Sequence, residues 1–362
     1  MCRAVLVTGG AGFIGSHLVD WLLQHTHAPV VVLDRLDYAG LETNLTQWAG
    51  HPRFTFRRGD IAQQELVDCL LQSSRVAAVV HLAAQTHVDR SIDAPCAFAA
   101  TNVLGTARLL ESVLRYWSQL SAEERDAFRF VHMSTDEVYG SLGPRGRFGP
   151  DAPLRPNSPY AASKAGADHL VHAFGVTYGL PVVTVRACNN YGPRQFPEKL
   201  VPLMILRAVQ EQPLPLYGSG QNVREWIHVR DTAAGLGAVL QRGEPGAVYH
   251  LGSGIERTNR EMVRSICRLL DRLHPRSSGR PYEELIQRVP DRPGHDFRYA
   301  LDCQATWEQL RWRPAVELES GLQQTIRWYL DNSHWVEQTR AGYRGERLGL
   351  GIAGERSTES FP

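Results

Sequence analysis

Lysine is almost absent from this sequence: of 39 lysine and arginine residues, only Lys164 and Lys199 are lysines. Lysine carries a compact ammonium group, whereas arginine carries a planar guanidinium that is always charged, so a functional site can distinguish between them. Both lysines lie within motif-like stretches of the chain. Their retention against an otherwise complete preference for arginine points to a functional requirement at these two positions.

The low net charge, the lack of long apolar runs and the cysteine spacing exclude several classes of protein. A formal net charge of +1 with scattered basic residues leaves no electrostatic footprint for nucleic acid or a membrane surface. No apolar run reaches transmembrane length, and the first residues predict a strand instead of a signal peptide. The six cysteines show no C-x-x-C spacing, which predicts reduced thiols in a cytoplasmic enzyme. His169 and His172 share a predicted helix face, but no further ligands accompany them, so we expect no metal site.

A glycine-rich loop follows the first predicted strand, Arg3 to Thr8. Its sequence, Gly9-Gly10-Ala11-Gly12-Phe13-Ile14-Gly15, matches G-x-G-x-x-G and leads into an amphipathic helix, the context in which helix N-terminal amides bind a pyrophosphate. The next strand ends at Asp34, about twenty residues on, where an acid can hold the adenosine ribose. Asp34 disfavours a 2′-phosphate and thus favours NAD over NADP, although the adjacent Arg35 leaves that choice open.

Strands and helices alternate through the first half of the chain. Strands are predicted at 53–58, 77–81, 128–133 and 182–186, and helices at 64–72, 93–117 and 160–178. This alternation predicts an α/β fold with a doubly wound parallel sheet. Within it, Asp60 is placed to face the adenine, and the small residues Leu82-Ala83-Ala84 let the backbone approach a cofactor, although a plain turn is the alternative. The two long helices have apolar residues on more than one face, which predicts a homodimer formed through them.

The second half of the chain predicts a smaller lobe. We expect residues 1–188 to form the dinucleotide-binding domain with a return segment near 228–252, residues 189–347 to form mainly a sugar-nucleotide-binding lobe, and residues 348–362 to be a disordered tail. The polar run from Asn189 to Lys199 is too long for an ordinary connection and predicts a functional loop. Lys199, Arg224 and Arg292 are candidates to clamp a diphosphate, although solvent exposure explains each of them alone.

The chemistry is predicted between Ser134 and Lys164. Thr135, Asp136 and Glu137 follow a buried strand, at the edge where open α/β sheets bind ligands. Asn157 or Ser158 can cap the next helix, in which Tyr160 and Lys164 project from one face. A nearby ammonium lowers the pKa of a phenol, which suits removal of a proton from a sugar hydroxyl. An isolated Y-x-x-x-K is usually an ordinary exposed pair, but the glycine loop favours the catalytic interpretation.

Together these motifs resemble the extended short-chain dehydrogenase/reductase superfamily and, within it, closely the dTDP-glucose 4,6-dehydratases. The glycine loop and Tyr-x-x-x-Lys mark the superfamily. The dehydratases are indicated by Thr135-Asp136-Glu137, by the run N-N-Y-G-P…F-P-E-K-L and by the turn D-R-P-G-H-D. The resemblance extends to about Arg347. Two departures are Gln85-Thr86 in place of the family's common Glu-Ser, and Cys188 in place of Ser.

The resemblance implies a Rossmann fold, bound NAD and a nucleoside-diphosphate glucose as substrate, with a role for each catalytic residue. Tyr160 is the base at the 4-hydroxyl beside Thr135, Lys164 lowers its pKa, Glu137 removes the C5 proton, and Asp136 protonates the departing 6-hydroxyl. The implied cofactor-binding residues are Gly9, Gly12, Phe13, Ile14, Gly15, Asp34, Asp60, Ile61, Leu82, Ala83, Ala84, Thr101, Tyr160, Lys164 and Asn190. The implied substrate-binding residues are Thr86, Thr135, Asn189, Lys199, Leu200, Pro215, Tyr217, Arg224, Asn259, Arg292 and His295.

Two other functions stay open on the sequence. A nucleoside-diphosphate-sugar 4-epimerase of the same fold would use the same Tyr160 and NAD but has no need of the Asp136-Glu137 pair. A non-catalytic dinucleotide-binding protein would need neither the tyrosine–lysine pair nor the carboxylates. The sequence also leaves open whether the nucleotide is thymidine or uridine.

Overall fold

The central sheet of the protein is formed by seven parallel strands. The computed structural model describes residues 3–346 and 348–349. The strands of the sheet are β1 Ala4–Thr8, β2 Val30–Asp34, β3 Phe54–Arg58, β4 Val76–His81, β5 Arg129–Thr135, β6 Val182–Ala187 and β10 Val248–Leu251. Their order in the sheet is β10-β6-β5-β4-β1-β2-β3. From β1 the chain first adds strands on one side (β2, β3) and then on the other (β4 onward), so the sheet is doubly wound and has a ligand crevice between β1 and β4. The predicted fold class is confirmed.

Helices cover both faces of this sheet because its strands are apolar on both sides. Along β1, Val5 and Val7 face one hydrophobic core while Ala4 and Leu6 face another. The helices in chain order are α1 Phe13–His25, α2 Gln64–Ser73, α3 Val88–Asp93, α4 Pro95–Phe98, α5 Thr106–Ser118, α6 Ala122–Ala127, α7 Pro159–Tyr178, α8 Leu200–Val209, α9 Val229–Arg242, α10 Asn259–Leu273, α11 Gln304–Gln309, α12 Leu318–Asp331 and α13 Ser333–Thr339. Helices α1 and α9 contribute to the first core, and α2 and α5 contribute to the second.

The long helix predicted from Asp93 to Trp117 is interrupted. Between α4 and α5 the residues Ala99–Gly105 form a π-helical segment. The side chain of its buried Asn102 donates to the carbonyl of Gln85 (2.9 Å) and accepts from the Gln85 N–H (2.8 Å). The wider helical turn therefore occurs where this side-chain amide bonds to the loop after β4. Apolar periodicity does not report such contacts, which is why an uninterrupted helix was the prediction.

The C-terminal residues form two small sheets and a third hydrophobic core. Strand β9 (Val223–His228) pairs with β7 (Asn189–Tyr191) and β11 (Glu256–Thr258), and β8 (Leu214–Tyr217) pairs with β12 (Ile286–Val289). Helices α8, α10 and α12 meet in the core through Met204, Ile266 and Ile326, among others.

In the segment 228–252, α9 packs on α1 and β10 pairs with β6 in the main sheet. The boundary at residue 188 stays a prediction. The predicted disorder of the tail falls almost wholly on residues 350–362, which lie outside the described residues. In the described part of the chain, no helix has the length and apolar character needed to cross a membrane.

Candidate active site

A cavity of ≈ 300 Å³ opens at the carboxyl ends of the central strands. It is bounded by the loops after β1, β2, β3, β4 and β5, the first two turns of α7 and the run from Ala187 to Lys199. The sequence-predicted residues that line it are Gly9, Gly12, Phe13, Ile14, Gly15, Asp34, Asp60, Ile61, Leu82, Ala83, Ala84, Thr86, Thr101, Thr135, Asp136, Glu137, Tyr160, Lys164, Asn189, Asn190 and Lys199. Predicted cofactor-binding and catalytic residues therefore share one site.

The glycine loop fits the close packing that a dinucleotide cradle needs. Gly9 has a φ of +71°, and a Cβ added there would lie 2.6 Å from the amide nitrogen of Ala83. A Cβ at Gly15 would lie 2.2 Å from the carbonyl oxygen of Gly9. Helix α1 begins at Phe13 without a side-chain cap from Gly12, so its first turn presents backbone amides at the cavity wall. This is the arrangement that binds a pyrophosphate.

The charges around the second strand favour NAD over NADP. The carboxylate of Asp34 accepts hydrogen bonds from the N–H groups of Ala11 (3.0 Å) and Leu36 (2.9 Å), which fixes its orientation beside the glycine loop. The Arg35 guanidinium, which could have met a 2′-phosphate, donates to Asp60 (3.2 Å) and also pairs with Asp37. Arg35 is therefore already paired with two carboxylates, those of Asp37 and Asp60, which disfavours its use in binding the 2′-phosphate of NADP.

Helix α7 positions the tyrosine–lysine pair. Of the two predicted caps, Ser158 is used: its hydroxyl accepts from the N–H of Ala161 at 3.1 Å. The N–H of Tyr160 donates to Ser91 Oγ (3.0 Å), which holds the first turn. Lys164 Nζ donates to the carbonyl oxygen of Met133 (2.8 Å), and both Tyr160 and Lys164 reach the cavity. The residue spacing alone thus produces the shared face that the motif predicted.

Burial dominates the titration of both members of the pair. It lowers the pKa of Lys164 to about 8, against an opposing effect of the Asp168 carboxylate. It also raises the pKa of Tyr160, as do Glu137 and Asp136, while a hydrogen bond with Thr135 lowers it. Because Lys164 Nζ is held by a backbone carbonyl here, its predicted lowering of the Tyr160 pKa stays a prediction.

Asp136 and Glu137 occupy a 3₁₀ turn, Asp136–Tyr139, directly after β5. Burial and the negative charges of Glu137 and Glu225 raise the pKa of Asp136 well above its usual range. Burial also raises the pKa of Glu137, but Arg292, Arg224 and Lys199 oppose this by favouring its charged form. In addition, Asp136 Oδ2 is buried without a hydrogen-bond partner among the described residues. The two neighbours therefore have different surroundings: Asp136 is favoured as an acid and Glu137 as a base.

The predicted substrate residues divide into two groups. Lys199 lines the cavity and donates to the carbonyl oxygen of Thr86 (2.6 Å). The residues that do not line it belong to or border the C-terminal lobe: Leu200, Pro215, Tyr217, Arg224, Asn259, Arg292 and His295. Arg224 is only 4% exposed and donates to the Asp296 carbonyl (3.0 Å) above the Tyr299 ring. A phosphate-clamping role for Arg224 thus requires its backbone contacts to be exchanged, and it stays a prediction.

Two positioning residues were missed by sequence reasoning. Asn102 joins the β4 loop to the catalytic helix, because its amide also donates to Ser163 Oγ (2.8 Å). Asp89 is buried and accepts from both Arg292 Nη1 and Tyr217 Oη at 3.0 Å, which joins α3 to the C-terminal lobe. A polar residue in a helix is ordinary in a sequence, so neither residue carried a signal there. No cluster of three or more potential metal-ligating side chains occurs in the described residues.

Comparison with known proteins agrees with this geometry. A family model described as GDP-mannose 4,6 dehydratase matches residues 6–325. A dTDP-glucose 4,6-dehydratase from Xanthomonas campestris pv. campestris (strain B100) is 50% identical over 348 residues, which cover 96% of this chain and 99% of the relative. The chain belongs to the dTDP-glucose 4,6-dehydratase family.

Solved structures of this family and its neighbours have the same fold. The dTDP-glucose 4,6-dehydratase from Streptomyces venezuelae, crystallised with NAD and TYD bound, is 45% identical with a TM-score of 0.84, covering 93% of this chain and 100% of that one. A UDP-glucose 4-epimerase from Thermus thermophilus in complex with NAD follows at 32% identity and a TM-score of 0.79, covering 91% and 100%. Membership of the dehydratase family thus supports the sequence resemblance, and the epimerase fold is a more distant relative.

Proposed function

We propose that this protein is a hydro-lyase that converts dTDP-glucose into the 4-keto-6-deoxy sugar using bound NAD. The observation that carries this proposal is the juxtaposition of Asp136 and Glu137 with Tyr160 and Lys164 around one cavity. A 4-epimerase needs only the tyrosine–lysine pair, whereas elimination of water needs an additional acid and an additional base. The two relatives named above that are 50% and 45% identical to this chain are dehydratases, which supports the same choice, whereas the epimerase is 32% identical.

The first step is oxidation at C4 of the glucose. Tyr160 takes the proton of the 4-hydroxyl, and Thr135, which lines the same cavity, holds the 4-hydroxyl oxygen in place. Lys164 supplies the positive charge that favours the phenolate form of the tyrosine. Bound NAD would supply the acceptor for the C4 hydride and the donor that returns it to C6. The glycine loop, Asp34, Asp60 and the small residues after β4 hold the cofactor.

The second step is elimination across C5 and C6. A 4-ketone acidifies the neighbouring C5–H, so a carboxylate can remove that proton. Glu137 is the base: burial raises its pKa, and Arg292, Arg224 and Lys199 oppose that rise by favouring the charged form. It gives the proton back to C5 when the hydride is returned to C6. Asp136 is the acid that protonates the departing 6-hydroxyl, because burial and its anionic neighbours favour its neutral form.

Substrate recognition is assigned to the cavity wall and the C-terminal lobe. Lys199 and Arg292 are the cations proposed to meet the diphosphate, together with Arg224 once it is released from its carbonyl partners. The lobe is proposed to span residues 189–347 and the cofactor domain residues 1–188. Thymidine is preferred over uridine as the nucleoside because the curated relatives are named for dTDP-glucose.

Incubation of the purified protein with dTDP-glucose tests the proposed function. The expected product is the 4-keto-6-deoxy sugar, formed over many turnovers without accumulation of NADH, because the hydride is returned in each cycle. UDP-glucose is the matched comparison substrate and should turn over more slowly. Conversion to the galactose epimer, or release of one NADH per sugar, would contradict the dehydratase assignment.

The protein is further proposed to act in the cytoplasm as a homodimer. The described cysteines Cys69, Cys96, Cys188, Cys267 and Cys303 are all free thiols, as suits a reducing compartment. Val176 and Tyr178 on α7 are 73% and 52% exposed, and Leu104 in the π-helical segment is 51% exposed. Exposed apolar side chains of this kind on two adjacent helices suit an interface between two copies.

Introducing a charge on this helical face should produce a monomer. For Val176→Arg we expect sedimentation equilibrium to give half the mass of the unmodified protein, because an unpaired guanidinium would be buried between the copies. Phe297→Arg is the matched control, since Phe297 is 45% exposed but lies in the C-terminal lobe. A dimer in both variants would place the interface elsewhere.

A further inference from the structure

A cluster of buried ions lies behind the catalytic lysine. Asp168 follows Lys164 by one turn of α7, and its Oδ2 accepts from Arg186 Nε at 2.9 Å. Its Oδ1 lies 3.2 Å from His132 Nε2. Arg186 in turn donates to Tyr139 Oη (2.6 Å) and to the Pro150 carbonyl. Asp168, Arg186 and His132 do not line the catalytic cavity, and the steps proposed above do not use them.

Positive charges outnumber negative charges around Asp168. Lys164, Asp168 and Arg186 are 4%, 3% and 7% exposed, so none of their charges is stabilised by bulk water. The contact of Lys164 Nζ is with a carbonyl oxygen, which carries no net charge. Asp168 forms a direct ion pair with Arg186 and, from one helical turn away, also acts electrostatically on Lys164, so one buried carboxylate serves two buried cations. A buried charge without a counter-charge is strongly unfavourable, which makes Asp168 the residue on which both cations depend.

We propose that Asp168 is the counter-ion that keeps the buried Lys164 ammonium charged during catalysis, and is thus a positioning residue that acts through Lys164. The proposal deepens the function proposed above, because it assigns a cause to the charge that Lys164 needs. Arg186, His132 and the Ser134 hydroxyl keep Asp168 ionised, since all three lower its pKa against the effect of burial.

Asp168 is the charged group among the described residues that raises the pKa of Lys164 against the effect of burial. The other titratable groups near Lys164 are Tyr160 on its own helix, His81 from β4, His132 from β5, Asp136 and Glu137 in the turn after β5 and, through Asp168, Arg186 from β6. Burial lowers the pKa of His81 well below its usual range and that of His132 to about 4, so both are neutral near pH 7. Burial raises the pKa of Tyr160 and of Asp136, which favours their neutral forms.

This arrangement predicts the direction in which pH dependence changes. Lys164 is charged below its pKa of about 8 and loses the ammonium as the pH rises through that value. Removing the negative charge of Asp168 lowers the pKa further, so the ammonium is lost at a lower pH. The alkaline limb of the kcat profile should then move to lower pH, while the affinity for the substrate changes little.

The scarcity of lysine makes the titration of Lys164 directly observable. In protein labelled with ¹³C-lysine, the Cε resonances of only two lysines, Lys164 and Lys199, are present, and Lys199→Arg assigns them. In Asp168→Asn, which keeps the shape of the side chain, we expect the Lys164 midpoint to fall by about 1–3 pH units. Asp168→Glu, which restores the charge, should return it toward the original value.

Arg186→Gln is the matched control, because it breaks the same ion pair but leaves the carboxylate in place. The Lys164 midpoint should stay unchanged or rise in this variant. An unchanged midpoint in folded Asp168→Asn, or a lowered midpoint in Arg186→Gln, would overturn the proposal. The second measurement decides the matter if Asp168→Asn does not fold. Because the resonance is read without substrate, its outcome is independent of whether dTDP-glucose is turned over.

Discussion

Asp136→Asn should leave oxidation at C4 intact and slow the elimination of water by a factor on the order of a hundred to ten thousand. The amide keeps the shape of the side chain but has no acidic proton to deliver to the 6-hydroxyl. Oxidation depends on Tyr160, Lys164, Thr135 and the cofactor, which the change does not remove. The ketone should still acidify C5, and Glu137 should still exchange that proton with solvent.

Glu137→Gln should give the complementary result. Exchange at C5 should be abolished because the base is removed, whereas oxidation at C4 remains detectable. Single-turnover kinetics in deuterated water separates the steps, since absorbance of the reduced cofactor, deuterium at C5 and keto-sugar product are followed independently. Loss of C5 exchange in Asp136→Asn together with its retention in Glu137→Gln would show that the roles are reversed.

Lys164→Arg should lose turnover by a factor on the order of a hundred or more with the fold intact. The ammonium occupies a site that is 4% exposed and donates to the Met133 carbonyl at 2.8 Å. A planar guanidinium is larger and cannot present the same point charge there, so the pair with Tyr160 is displaced. The measurement is kcat at saturating substrate, with circular dichroism and retained NAD as checks on folding.

The same substitution at the other lysine is the control. Lys199 is proposed to contact the diphosphate, so Lys199→Arg keeps a cation for a phosphate and should raise KM more than it lowers kcat. A Lys164→Arg variant with a kcat near that of the unmodified protein would mean that the pair with Tyr160 has only a structural role.

Much of the architecture was predictable because local patterns determine it. Apolar strands alternating with amphipathic helices fix a doubly wound sheet, and the sheet brings residues from the ends of β1, β2, β4 and β5 to one edge. Tyr160 and Lys164 share a face because the helix has 3.6 residues per turn. These predictions needed no knowledge of long-range contacts.

The remaining features depend on contacts between residues distant in sequence. Asp89 meets Tyr217 and Arg292 only after the C-terminal lobe has packed on α3. The partner of Asp168 is Arg186, which lies on β6. Neither pairing leaves a periodic pattern. Likewise, Arg224 was predicted from its fork of donors, but the backbone that occupies those donors is not visible in a sequence.

The π-helical segment sets the angle around the helix axis at which the side chains after it point, relative to those before it. Each residue of an α-helix advances the helix by about 100° around its axis, so removing one residue would turn everything beyond it by that angle. Within the segment, Asn102 must point toward the β4 loop and Ser163. Beyond it, Leu109, Leu110 and Val113 must point into the core. The wider turn of the π-helical segment allows both sets of side chains to point in the required directions. The length of Ala99–Gly105 is consequently constrained more tightly than the identity of its exposed residues, and a gain or loss of one residue there would rotate either the amide or the apolar stripe out of position.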